Sequence, residues 1–230
     1  MVTSAKQTAV GEIEVCAWLD DDDSDAGRYR PDEIVRYGSG PRPYIAGSLC
    51  TSGLWSKAWE MATGDIAMLG ADDVVFRTPG WDAKVQAAFA EVPDRIVMVY
   101  GDDRTKRKAP VTPFVHRRWI DAAGFTPQDF QGWYGDQWIW QMAAELGRVR
   151  FLPDLKIPHF QRSRSDATYR DGAAAREAVG GWQGMRDRFY SSEMVARREA
   201  QIARLRAAMD GTRVDWPDPV PAWLAESLVL

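Results

Sequence analysis

Between Thr63 and Asp82 the chain reads Thr-Gly-Asp-Ile-Ala-Met-Leu-Gly-Ala-Asp-Asp-Val-Val-Phe-Arg-Thr-Pro-Gly-Trp-Asp, and this stretch restricts the fold more than any other. A turn signal, Thr63-Gly64, precedes an apolar run of buried-strand length, Ile66 to Leu69. Small residues and then two adjacent carboxylates, Asp72 and Asp73, end the run; Thr78-Pro79-Gly80 makes a second turn, and a helical pattern starts at Trp81. Paired acids just past the carboxyl end of a central strand lie where open α/β sheets bind ligands. Two such acids repel unless a cation or hydroxyl groups share them. A hard divalent ion carrying a phosphate-bearing substrate is their natural companion. The plainer alternative is a strand followed by a solvated acidic turn.

With 230 residues the chain is long enough for one domain with a sizeable core. No apolar run reaches spanning length, and the first residues lack the apolar centre of a signal peptide, so no membrane span and a cytoplasmic location are expected. Cys16 and Cys50 sit in apolar surroundings and need not pair. A net charge of −4 gives no global case for nucleic acid. Basic residues nonetheless gather in the second half, beginning with Arg104, Lys106, Arg107 and Lys108. Several of the 11 tryptophans, among them Trp81, Trp119, Trp133, Trp138 and Trp140, flank the motifs, where they serve either as core or as stacking surfaces.

In chain order, residues 1–10 have a weak helical pattern and 12–19 read as a strand running into the acidic loop 20–25. A short strand is expected at 34–37 and an amphipathic helix at 49–62, before the strand 66–69. Then come a helix at 81–90, a strand at 96–100 closed by a turn at Asp102-Asp103, a strand at 113–116 and a helix at 117–123 ended by Gly124. Asp136 opens a helix over 137–146, as an N-cap or as a functional carboxylate. A strand at 148–152, a break at Pro153 and a last short strand at 156–159 complete a core of residues 1–160. Residues 161–184 read as a flexible loop, and 185–230 as a helical extension led by one long helix, 185–209.

The run from Leu54 to Asp73, together with the acidic strand end at Asp20–Asp25, Asp136 and His159, resembles the GT-A fold glycosyltransferases of the family-2 type. Similar short segments occur in bacteriophage members of that family. The resemblance implies a Rossmann-like α/β fold with a mostly parallel central sheet and flanking helices. It also implies a departure: the family's usual first strand has no counterpart here, so that strand is either lost or supplied by another segment or subunit, and an open sheet edge would favour association.

The activity implied is metal-dependent transfer of a hexose from a nucleoside diphosphate sugar, UDP-sugar above all, to a hydroxyl acceptor with inversion. Asp73 and His159 would hold Mn2+ or Mg2+, Asp72 the ribose, Asp21 or Asp22 the base, and Arg162 or Arg164 the diphosphate. Asp136 would be the catalytic base. Trp81, His116, Trp133 and Trp138 would line the acceptor. A hydroxymethylated pyrimidine of DNA, a saccharide, a lipid-linked sugar and a protein stand as acceptor classes. Two rivals come from other classes: a degenerate domain that binds nucleotide or sugar without turnover, and a structural or partner-binding domain using its long carboxy-terminal helix; a homo-oligomer through the sheet edge or that helix is a further expectation. A nucleotidyltransferase fits less well, because its Gly-rich phosphate loop is absent.

Overall fold

The structure, a computed structural model, describes residues 1–29, 34–41, 51–105, 109–127, 129–130, 133–160 and 167–211. It is a mixed α/β fold with two sheets and eight α-helices among those residues. Helix α1 (Val2–Thr8) leads to β1 (Val15–Asp20), which pairs in parallel with β2 (Val35–Gly40) as a small two-stranded sheet. Helix α2 (Thr51–Glu60) then enters the larger sheet, built from β3 (Ile66–Met68), β4 (Met98–Asp102), β5 (Phe114–His116) and β6 (Val149–Lys156) in the order β3-β5-β4-β6. Helices α3 (Trp81–Ala90), α4 (Arg117–Ala123) and α5 (Gly135–Glu145) intervene, and α6 (Ala167–Ala178), α7 (Gly181–Phe189) and α8 (Ser192–Met209) follow.

The expectation of a mostly parallel central sheet needs correction. In the four-stranded sheet β3 and β4 both run antiparallel to β5, and only β4 and β6 are parallel. The link from β4 to β5 carries no helix among its described residues, so β5 returns antiparallel beside β4 and β3 instead of crossing over the sheet through a helix.

Alternation along the strands sorts side chains to two faces, each with its own core. Met98 and Val115 join Trp119, Trp138, Ile139 and Leu205 under α4, α5 and α8. Val97, Val99 and Phe114 join Ala5, Phe89 and Leu155 under α1 and α3. No helix among the described residues is long and apolar enough to cross a membrane.

Three further expectations change. The break at Pro153 is instead a bulge within one strand, since β6 pairs Leu152 with Gly101 and next Lys156 with Asp102. Proline is tolerated there because an edge strand at a bulge owes no ladder hydrogen bond. The expected loop 161–184 contains α6 and the start of α7; its alanines favour helix by propensity, without the apolar stripe that would announce one. The single helix expected at 185–209 is two, divided where the Ser191 hydroxyl caps α8 by accepting from the Met194 amide at 3.3 Å. Residues 212–230 lie outside the described ones.

Candidate functional site

The acidic pair follows β3 as a turn. Asp72 is exposed, whereas Asp73 is half-buried and Val74 after it is fully buried. The chain then runs alongside the segment after β6. Val74 bridges His159, the Phe160 amide donates to the Asp73 carbonyl at 2.8 Å, and the Val75 amide donates to the Pro158 carbonyl at 3.1 Å. The His159 amide in turn donates to the Asp103 carbonyl at 3.0 Å, tying the segment to the end of β4.

This backbone lattice brings two side chains 86 residues apart in sequence together. His159 Nε2 lies 2.9 Å from Asp73 Oδ1, with both side chains largely shielded at 13% and 16% exposure. The distance suits an ion pair, but the alignment is not that of a hydrogen bond: Asp73 Oδ1 is buried and accepts none. A buried carboxylate oxygen without a donor carries a desolvation cost of about 1–3 kcal/mol or more. An imidazole nitrogen and a carboxylate oxygen that converge without a proton aligned between them fit two ligands of one cation. Their chemistry suits Mn2+ better than a site of oxygen alone would. Among the described residues no third His, Cys, Asp or Glu completes a cluster, so a cation here would take its remaining ligands from substrate and water.

Asp136 is set against the same region by one tryptophan of α2. The Trp55 indole N–H donates to the Gly70 carbonyl at 2.9 Å, at the strand end that leads to Asp72 and Asp73. Its ring also packs against Gly135, where an added Cβ would lie 2.9 Å from Trp55 Cζ3 and 2.7 Å from Ser52 Oγ. Only glycine permits this approach, and the next residue is Asp136. Trp55 thus holds the acidic turn and the start of α5 around a single ring. In the sequence Trp55 is one apolar position of the expected helix 49–62, and the glycine at 135 is the signal that a close contact is needed.

Helix α5 starts earlier than expected. Tyr134, with a left-handed φ of 73°, occupies the N-cap position, and Asp136 lies inside the first turn, its Oδ1 accepting from the Gln137 amide at 2.8 Å. The N-cap role expected for Asp136 is therefore not the one it has. Its carboxylate remains partly exposed at a helix amino terminus, where a negative charge is favoured.

The remaining candidates divide. Asp21 and Asp22 are exposed just after β1, where the Asp21 amide donates to the Gly40 carbonyl at 2.8 Å. Arg162 and Arg164 lie outside the described residues. Trp138 is fully buried and its indole donates to Gln201 Oε1 at 2.9 Å, so it is core and not an acceptor surface. Trp81 is likewise spent on packing: its indole donates to the Ala5 carbonyl at 3.2 Å and its ring lies 4.4 Å from Phe76.

His116 is misplaced for an acceptor contact. It pairs with Ile66 at the start of β3, whereas the acids follow the other end of that strand. There its Nδ1 accepts from the Arg118 amide at 3.1 Å and caps α4. Burial lowers its pKa below the usual histidine value. Of the four aromatic candidates only Trp133 reaches the surface beside Asp136.

Asp102 is the last residue of β4 rather than part of a turn, and the Asp102 and Asp103 carboxylates accept from the Arg104 and Thr105 amides just beyond it. Asp103 Oδ1 accepts from the Thr105 amide and hydroxyl, each at 2.8 Å, and Oδ2 accepts from the Val111 amide at 2.9 Å, so this buried carboxylate is engaged in holding the loop that follows β4. Asp102 pairs with Lys156 at 3.0 Å, and that hydrogen bond holds its carboxyl below the usual range. Compared with known proteins, the chain matches no family model, no curated protein sequence and no solved structure.

Proposed function

We propose that the chain is a metal-dependent glycosyltransferase that moves a sugar from a nucleoside diphosphate sugar to a hydroxyl acceptor. The observation that carries this reading is the convergence of Asp73 Oδ1 and His159 Nε2 at 2.9 Å, with both side chains largely shielded and outside hydrogen-bond alignment, beside a turn bearing a second acid. Asp73 and His159 would hold Mn2+ or Mg2+, which when bound supplies positive charge against the charge developing on the leaving diphosphate. Exposed Asp72 is left to accept from donor hydroxyls. Asp136, partly exposed in the first turn of α5, takes the proton of the acceptor hydroxyl as that oxygen attacks the anomeric carbon. Trp55 acts as a positioning residue, because it fixes the spacing between the two acidic centres.

Thermal unfolding with a panel of nucleotide sugars, with and without Mn2+, tests the reading. One nucleotide should stabilise the protein only when the metal is present; a hundredfold excess over Kd corresponds to about 2.7 kcal/mol. Asp73→Asn and His159→Ala should each abolish the metal-dependent shift. Asp136→Asn should keep the shift and lose at least a hundredfold in transfer, in the range typical of a general base. Folded wild-type protein that responds to no nucleotide in either condition would overturn the proposal.

A further inference from the structure

A column of stacked rings runs from the core to the surface immediately before Asp136. Phe189, fully buried, stacks on Tyr134 at 4.7 Å, and Tyr134, itself buried, stacks on Trp182 at 5.1 Å with an interplanar angle of 22°. Trp182 ends the column at 55% exposure. Trp133 meets it at 5.5 Å and 70°, so the two indoles form a corner, and the Arg176 guanidinium lies 4.7 Å from the Trp133 ring. Of the nine exposed large apolar side chains among the described residues, Trp133, Val179, Trp182 and Tyr190 all belong to this region. Large apolar rings left in water side by side, and fixed from beneath by buried rings, mark a binding surface.

The charges around the corner indicate its occupant. Residues 167–189 carry four arginines against three acids. Arg188 is paired with Glu193 at 2.6 Å and with Asp129 at 3.0 Å, and Asp187 accepts from the Gln183 amide group at 2.8 Å. A surface for a nucleic acid strand would need unpaired cations to neutralise phosphates. Here rigid indole faces and nearly balanced charge suit a neutral pyranose, whose axial C–H groups pack on an electron-rich ring while its equatorial hydroxyls stay in water. We infer that the Trp133–Trp182 corner binds a neutral saccharide, with Trp182 as the stacking face. That this saccharide is the acceptor for Asp136 rests on the glycosyl-transfer reading; the binding does not.

Saturation-transfer difference NMR with a panel of neutral tetrasaccharides tests the inference, in parallel with a single-stranded DNA oligonucleotide and with Mn2+ plus nucleotide. At least one tetrasaccharide should receive saturation at its ring C–H protons from the wild-type protein. Trp182→Ala should weaken that binding at least tenfold, Trp182→Phe should retain most of it, and neither should alter the response to Mn2+ plus nucleotide. The inference is overturned if no tetrasaccharide binds, if Trp182→Ala binds as wild type, or if Trp182→Ala instead removes binding of DNA. Loss of the nucleotide response in wild-type protein, with saccharide binding intact, would overturn the glycosyl-transfer reading alone.

Discussion

His116 illustrates how a residue picked out for chemistry turns out to be structural in a way that can be measured. Its Nδ1 is the acceptor that caps α4, and a doubly protonated imidazole has no acceptor left. Burial is the main cause that depresses its pKa, with Asp65, Arg95, Arg118 and Asp121 as the charged neighbours. Because the folded value lies below the unfolded one, the unfolded chain binds more protons in the window below pH 6.5. Stability should therefore be full above that pH and fall as pH decreases through it. Asp121, whose carboxyl burial raises, changes stability in the opposite sense at lower pH. His116→Asn keeps a cap acceptor and removes the titration, together with the imidazolium charge that lowers the Asp121 carboxyl. Denaturant midpoints at pH 7.5 and pH 5 should converge for the variant and separate for wild type, by up to the value of a cap, about 0.5–2 kcal/mol. Equal slopes for the two proteins would remove the capping role.

At the scale of elements, packing of α8 decides more than its length. Gln201, buried on α8, bridges two helices: its Oε1 accepts from the Trp138 indole of α5 at 2.9 Å and its Nε2 donates to the Ala123 carbonyl of α4 at 2.7 Å. Gln201→Leu keeps the volume and orphans both groups, each worth about 1–3 kcal/mol when buried. Equilibrium unfolding should thus show a loss of about 2–6 kcal/mol; a loss under 1 kcal/mol would mean that water replaces the amide. The long amphipathic pattern made this docking helix legible, as the turn at Pro79-Gly80 and the stop at Gly124 made α3 and α4 legible, boundaries included. The pattern cannot show that Tyr190-Ser191 interrupts it, since a Ser is an N-cap only when its own backbone is extended, as that of Ser191 is at φ −60° and ψ 152°. Trp138, Ile139, Met142 and Ala143 share one buried stripe, which excludes Trp138 from the surface, while Trp133 lies before the helix and outside that stripe. The Asp73–His159 pair was nameable from residue types, but the lattice that joins them depends on a bridge between distant segments, which no local pattern encodes.

For the molecule as a whole, the two sheets differ in how firmly they are held. In β4, Met98 and Val99 are fully buried between the two cores, whereas none of the six residues of β1 is. The small sheet is fastened at its start by Glu14. This carboxylate accepts from the Thr63 amide at 2.7 Å and the Gly64 amide at 2.5 Å, and its second oxygen pairs with Arg36 of β2 at 3.2 Å. One side chain therefore links β1, β2 and the turn that leads into β3 and the acidic pair. Sub-global opening should separate the sheets there, with β1 and β2 opening at lower free energy than β4. Hydrogen exchange followed by mass spectrometry should show residues 15–20 exchanging faster than 97–101 in the wild type. Glu14→Ala should speed exchange of 15–20 about tenfold, equivalent to roughly 1.4 kcal/mol, and leave 97–101 unchanged. Because Asp21 and Asp22 sit at the far end of β1, the same variant separates two models of the donor site. If β1 contributes to nucleotide binding, Glu14→Ala weakens the Mn2+-dependent thermal shift. An unchanged shift, with β1 exchanging freely, would confine the donor site to the four-stranded sheet and remove Asp21 and Asp22 from it.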